Sequence, residues 1–556
     1  MTKNLVSVMG SLILLLILII GCNTNSTESA DMIIKNGKIW TANPEMPEAE
    51  ALAIRDDKII AIGTNSDIEA FEKDGVPVID AAGKMIVPGF IDSHVHFIEG
   101  GFRLASVQLR DASTPEEFAK RIADFAKTIP AGTWITGGDW DHELWGGKLP
   151  QADWVDKYTP DNPVFVSRLD GHMALANSLT MKLAKVNAKT KSVEGGTIVK
   201  NKEGKPTGIF KDNAMDLIYP VMPDPPDEMK LRALKAAMDY VAMQGVTSVD
   251  HMGSWDDLQV FMNARDKNLL KTRIYASVPL STWEKLADYV QKNGKGDKWL
   301  SYGGLKGFVD GSLGSHTAAF FEPYSDSPDS KGFFVNDYDD LKKWILNGDK
   351  NNLQAVIHAI GDSAISTLID IFEQVKNENG DRDRRFRIEH AQHIARKDLQ
   401  RFKKNKIIAS MQPYHAIDDG RWAEKVIGPQ RIKEAYCFRS LLDNNVILAF
   451  GSDWFVAPPT PLEGIYAAVT RRTLDGKNPD GWVPEQKISV EEALRAYTID
   501  AAFASFEEDI KGSLEKGKLA DLVILDKNLF EIPDSTIKDV HVDKTILGGK
   551  IIYDSH

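Results

Sequence analysis

The sequence predicts an α/β chain built on a (β/α)8 barrel, with a small β domain made from both ends of the chain and a large insertion after the first barrel strand. Three patterns support this. Through the middle of the chain, apolar segments of strand length alternate with helical stretches. The strand candidates are IVPGFIDSHVHF, VTSVDHM, TRIYASV, GLKGFVDG, LQAVIHAIGD, RFRIEHAQ, IIASMQPYH and VILAFGSDW, and EMKLRALKAAMDYVAMQ and SAISTLIDIFEQVKN lie between several of them. That alternation fits a closed barrel better than an open doubly wound sheet, although the count alone does not decide. Second, residues 31–84 read as short alternating strands broken by N-G, D-D and A-G turns, and the far end (ADLVILD, KDVHVDKTILGGKIIYD) reads alike. Third, residues 100–240 exceed one βα unit and carry strands of their own, TWITGGDW and NPVFVSRLD. The expected division is a composite β-sandwich from 31–84 and 505–556, and a barrel over 85–504 that includes the insertion at 100–240.

The chain has 556 residues, with 67 Lys and Arg against 80 Asp and Glu, for a formal charge of −13. Apolar content of 43% with 26% charged residues excludes a disordered chain, a collagen-like repeat and a polytopic membrane protein. The acidic balance argues against nucleic acid as the main partner, because phosphate binding needs a basic surface. With only Cys22 and Cys437, a disulfide framework is excluded. Cys437 reads as a small buried apolar residue.

Residues 1–21 read as a secretory signal: Lys3 precedes an apolar stretch centred on Leu12 to Ile20, short for a membrane span. The Ile19-Ile20-Gly21-Cys22 end resembles a bacterial lipobox, which makes Cys22 the expected lipidation site, and 22–30 a polar tether. The alternative is an uncleaved anchor helix. Either way the body is expected outside the cytoplasm, held at a membrane.

The chemistry concentrates at strand ends. In Asp92-Ser-His-Val-His-Phe, His94 and His96 are two apart on an extended strand, so both imidazoles face one side, at the carboxyl end where barrel active sites lie. His358, His390 and Asp453 end later apolar strands, and Lys306 sits within GLKGFVDGSLGSHTA. Singly, each reads as a core histidine, a capping Asp or a solvated Lys. A closed barrel gathers them round one axis, and imidazoles with a carboxylate suit zinc and similar metals. There is no nucleophile-elbow G-x-S-x-G and no P-loop.

PGFIDSHVHF, LKGFVDGSLGSHTA, VIHAIGD, RIEHAQ, FGSDW and GSLEKGKLADLVILD together resemble the amidohydrolase superfamily, in the family-3 branch that includes N-substituted formamide deformylases; WITGGDWDHELWGG and SRLDGHMALANS match that branch's insertion. The resemblance implies a TIM-like metal-dependent hydrolase barrel. It implies that His94 and His96 bind the more buried metal and His358 and His390 a second. Lys306 aligns with a lysine that is often carboxylated and bridges the two. A free lysine cation cannot ligate, so the alternative is a mononuclear site with Lys306 as an ion-pair partner. One or two zinc ions are thus expected. Asp453 and His358 are the expected catalytic residues, Asp453 moving a proton and a metal or nearby imidazole polarising the carbonyl oxygen.

The expected reaction is cleavage of a non-peptide C–N bond, in an N-acyl, N-formyl or cyclic amide, by metal-activated hydroxide. The alternatives are an extracytoplasmic binding or sensory lipoprotein on the same barrel, and an esterase or deaminase using the same site. Trp140, His142, His172, Asp310, His316, Tyr414 and Trp454 are the expected substrate-binding residues; the branch usually has Arg where His316 stands. Trp140 and Trp145 can equally pack the insertion's own core. His251 and His393 are expected behind the ligands. The partner is a small amide, and a homodimer is the candidate assembly.

Overall fold

A computed structural model describes residues 29–104, 106–191 and 193–556. The signal expected at 1–21 and lipidation at Cys22 lie outside the described residues. Eight strands form one parallel sheet in chain order: β1 (Phe90–Val95), β2 (Val246–Met252), β3 (Arg273–Pro279), β4 (Leu300–Phe308), β5 (Gln354–Ala359), β6 (Arg387–His390), β7 (Ile408–Met411) and β8 (Leu448–Phe450). Most of their residues are buried, which is why they read as near-continuous apolar runs rather than alternating ones.

Just past β8 the chain returns to β1 and closes the barrel. Val95 and Trp454 form a parallel bridge, Asp453 N–H donates to the His94 carbonyl at 2.7 Å, and His96 N–H donates to the Trp454 carbonyl at 2.7 Å. Asp92 draws in the same seam by accepting from Ser452 Oγ at 2.5 Å and Ser452 N at 2.8 Å. The approach demands glycine at 451, where a Cβ would come within 2.6 Å of the His94 backbone nitrogen.

Helices connect the strands on the outside, among them Asp227–Met243 before β2, Trp255–Asp266 before β3 and Asp362–Asn379 before β6. Trp255–Asp266 starts where the sequence says it should: Ser254 caps Asp257 N–H, and the Asp257 carboxylate reaches back to the Ser254 N–H. Asp227–Met243 packs against β2 and the helix Phe97–Leu104 outside the insertion sheet, whose strands end at Asp212.

The insertion is a six-stranded sheet built on Val107–Gln108, Ile135–Trp140, Val164–Arg168, Met173–Ala176, Pro206–Asp212 and Gly196–Lys200. At the other end of the molecule, strands from both termini pair. Leu522–Leu525 runs antiparallel to Met85–Pro88, with Leu522 opposite Pro88 and Leu525 opposite Met85. Residues 85–88 therefore belong to the terminal sheets and not to the barrel: an apolar strand must pair its backbone, and its partner lies there. Ile34, Leu52 and Ile54 of one sheet pack on Ile86, Leu522, Ile524 and Ile546 of the other. No helix among the described residues is long and apolar enough to cross a membrane.

A buried ion pair joins the barrel to the terminal sheets. Arg273 at the start of β3 donates from Nε and Nη2 to the two Asp521 oxygens at 2.6 and 2.9 Å. Removing one member leaves a charge stranded in the interior, which costs about 3–5 kcal/mol. Arg273→Ala is therefore expected to lower the thermal unfolding midpoint clearly. Arg273→Lys should recover only part of the loss, because an ammonium cannot form the two-pronged contact; an unchanged melting curve for Arg273→Ala would contradict the assignment.

Candidate functional site

The carboxyl ends of β1, β4, β5, β6 and β8 meet at one mouth of the barrel. There the structure brings together His94, His96, Lys306, His358, His390 and Asp453. His94 Nε2 lies 3.4 Å from Asp453 Oδ1, as does His96 Nε2, and Lys306 Nζ lies 3.0 Å from His94 Nε2. The ring centroids of His94 and His390 are 4.9 Å apart, and those of His358 and His390 4.5 Å. Donor atoms of His94, His390 and Asp453 lie within 4.8 Å of one another, a spacing that can hold one metal ion. His390 and Asp453 have φ of +70° and +59°, unusual for residues with a Cβ and common at functional sites.

The electrostatics suit ligation. Burial, then the nearby Lys306 charge, pulls His94 down to about 4, and burial carries His358 and His390 well below the ordinary histidine value. All three are thus neutral, the form that binds a metal. Burial brings Lys306 down to about 8. Burial opposes ionisation of Asp453, but His94, His96 and His390 outweigh it and hold the carboxyl well below its usual range. His358 Nδ1, His390 Nδ1 and Asp453 Oδ1 are buried with no hydrogen-bond partner among the described residues.

Behind His94 stands a residue that the sequence reading missed. Glu389 Oε2 accepts from His94 Nδ1 at 2.5 Å, which leaves Nε2 facing the cluster. Glu389 is held in turn by Arg387 Nε at 2.8 Å and Ser410 Oγ at 2.6 Å, and Arg387 also reaches Asp250 at 2.5 Å. The available signal was its place directly before His390, with Arg387 two earlier. In a strand, 387 and 389 share one face, here the inside of the barrel.

A cavity of about 490 Å³ opens over this cluster, between Phe308, Phe455, His172, Asp212 and Tyr219. A smaller lobe of about 40 Å³ runs past the same cluster to Arg168, His415 and Trp422. His172 comes down from the insertion with its ring 5.0 Å from His358 and its Nδ1 2.7 Å from Asp212 Oδ1. Burial works against its protonation, yet Asp212 lifts it above the ordinary histidine value. Asp310 lines the cavity but is spent on the backbone: it accepts from Ala319, Ile360 and Gly361 N–H at 2.8 to 3.0 Å and so shapes the turns beside His358.

The other expected substrate residues lie elsewhere. Trp140 is fully buried, donates its indole N–H to the Val166 carbonyl and packs on Phe118; Trp145 packs on the same ring. Both build the insertion's core. His142 is buried against Arg168 and lines neither lobe. Trp454 packs under Gly100 and beside Phe97 at the seam, because the bridge to Val95 turns its side chain outward. Tyr414 lines a separate cavity with Tyr466 and Lys538, while its neighbour His415, which the reading passed over, faces the cluster with Nε2 unpartnered. His316 pairs with Asp326 at 2.9 Å and lies against Tyr324, outside both lobes. His251 accepts from Phe97 N–H, behind β1. His393 is buried between Phe320 and Tyr436. Cys437 is a buried free thiol.

Known proteins resemble this chain over nearly its whole length. The family model described as "Amidohydrolase family" matches residues 77–553. The protein LONG AFTER FAR-RED 3 of Arabidopsis thaliana is 43% identical, covering 94% of this chain and 92% of its own. The N-substituted formamide deformylase of Arthrobacter pascens is 26% identical, covering 95% and 99%. A crystal structure of an uncharacterized metal-dependent hydrolase from Pyrococcus horikoshii superposes with a TM-score of 0.74 at 28% identity, over 90% of this chain and 99% of its own. By the span of these matches, this chain belongs to the amidohydrolase family.

Proposed function

We propose that the chain hydrolyses a non-peptide C–N bond, in an N-acyl or N-formyl amide or a cyclic amide, at a divalent metal site held by His94, His96, His358, His390, Asp453 and a carboxylated Lys306. One observation carries this reading: four imidazoles, a lysine and a carboxylate converge in one volume where His358 Nδ1, His390 Nδ1 and Asp453 Oδ1 have no partner among the described residues. Each such atom left bare costs about 1–3 kcal/mol, and a cation satisfies them together. The mixed nitrogen and oxygen donors favour zinc. A Lys306 lowered to about 8 supports carboxylation, since only the neutral amine reacts with carbon dioxide. The deformylase relative supports a formamide among the substrates.

A bound divalent cation supplies Lewis acidity and brings the pKa of a water molecule toward about 7. The protein's own groups do the rest. Asp453, kept ionised by the imidazoles around it, takes the proton of the attacking water and passes it to the leaving nitrogen. His172, held by Asp212, donates to the carbonyl oxygen as negative charge builds there. Glu389 keeps the His94 ring in one tautomer and one orientation. Phe308 and Phe455 shield the reacting carbonyl from bulk water. Cleavage of the leader at Cys22, and an extracytoplasmic, lipid-anchored location, belong to the same proposal and are supported by the sequence alone.

The test is an amide panel, with formamides included, assayed on metal-analysed protein before and after chelation. Hydrolysis that is lost with the metal and returns with zinc is expected; stoichiometric metal with no turnover across the panel would favour a binding protein. Asp453→Asn should lower kcat by about 10²–10⁴-fold, the usual worth of an acid–base group, and an unchanged rate would remove Asp453 from the proton path. Glu389→Gln should weaken metal affinity by about 10–100-fold while the fold survives. Metal retention equal to wild type would make Glu389 a purely structural neighbour.

A further inference from the structure

We propose that the insertion's wall of the main cavity selects amides whose nitrogen substituent ends in a cation or strong hydrogen-bond donor, with Asp212 and Asp216 as its acceptors. This rests on the amide-hydrolase reading and adds the substrate class. The strand Pro206–Asp212 delivers Asp212 to the cavity with φ of +48°, a region costly for a residue with a Cβ and retained where a side chain has a task. Its side chain is 3% exposed. Oδ1 is taken by His172; Oδ2 has no partner among the described residues. An unpaired buried carboxylate oxygen on a cavity wall is an acceptor waiting for a donor. Asp216 lies one short turn further along and lines the same cavity.

The remaining lining sharpens the choice. Among the described residues, Lys306, down in the ligand cluster, is the only lysine on this wall, and no arginine lines it. The nearby Arg103 lies over the Phe455 ring but is committed to Asp139 at 2.7 Å and Glu99 at 3.0 Å. A carboxylate on the substrate would therefore face Asp212 and Asp216 without a free counter-charge, whereas an ammonium would be drawn to the two carboxylates. Between this wall and the ligand cluster, Phe308, Phe455, Met215 and Tyr219 offer apolar surface to a short hydrocarbon or aromatic spacer. A volume near 490 Å³ suits a small molecule of that kind.

The test uses the metal-loaded enzyme and three matched formamides of a para-substituted phenethylamine, ending in aminomethyl, ethyl or carboxymethyl, the first two of the same size. Binding of the three corresponding free amines is measured separately by calorimetry; the amine at the cleaved position is common to all three, so their order reports the distal group. The aminomethyl compound is expected to exceed the ethyl one by roughly tenfold in kcat/KM, with the carboxymethyl compound below both. D216N and D212N should shrink the ratio; D212N also disturbs His172, so the ratio is read and not the rate. A flat or reversed order in turnover and binding would overturn the proposal while leaving amide hydrolysis intact. If no formamide is cleaved but the amines keep the order, the wall is supported and the reaction reading fails. A ratio unchanged in both variants would remove the two carboxylates from recognition.

Discussion

The site depends on the seam where the chain returns from β8 to β1. Four of the six converging residues arrive on separate strands, but His94, His96 and Asp453 meet only if the two ends of the sheet touch. That contact is polar as well as geometric. Asp453 N–H and His96 N–H each bond across the seam, and Asp92 gathers Ser452 from the other side. A sheet left open here would leave these backbone groups unpaired in an apolar interior. Closure and assembly of the ligand cluster are thus one event, and the requirement for glycine at 451 is its steric signature.

The second constraint is electrostatic. Barrel interiors are usually filled by branched apolar layers, yet this one carries Arg387, Asp250 and Glu389 below the cluster, all fully buried. Such a layer adds little net stability, because desolvation offsets the attraction. Its effect is positional: it holds Glu389 ionised against His94, with the carboxyl drawn down to about 2 by Arg387 and His94 despite burial. The same dry surroundings strip protons from His94, His358 and His390. One environment therefore keeps the acid charged and the bases neutral, the two states a cation needs around it.

Much of this was legible in the sequence, for physical reasons. The strands are buried on both faces, so their apolar runs stand out, and the polar side chains of the cluster sit at strand ends, so each run points to its own candidate. His94, His96, His358, His390, Lys306 and Asp453 were found that way. The failures share a cause as well. Trp454, Tyr414 and His316 were chosen for residue type and nearness to a motif, and for Trp140 the packing alternative holds, because orientation within a loop or insertion is set by packing that no periodicity encodes. Trp140 satisfies its indole inside its own sheet, and Tyr414 turns away while His415, one position on, turns in. Glu389 was hidden because a charged residue inside a barrel strand runs against the apolar rule used to find the strand. The 85–88 boundary was blurred because a strand of the terminal sheets runs directly into β1 with only Gly89 between them.

The insertion gives the cavity a wall built apart from the barrel sheet. The ligand cluster is anchored by hydrogen bonds and strand register and tolerates little change. Part of the wall above it comes from a separate sheet with its own core around Phe118, Ile122 and Trp140. His172 and Asp212 belong to that sheet yet reach the cluster, so the residue that would bind the carbonyl oxygen and the residue that would choose the substituent move as one unit. The insertion meets the barrel loops at several places besides the His172–His358 contact, among them Arg110 to the Val456 carbonyl, Lys211 to the Ser315 carbonyl and Ser312 to Asp170. Under the proposed reaction, a change in the insertion sheet that keeps these contacts would alter the cavity wall and leave the cluster below it in place.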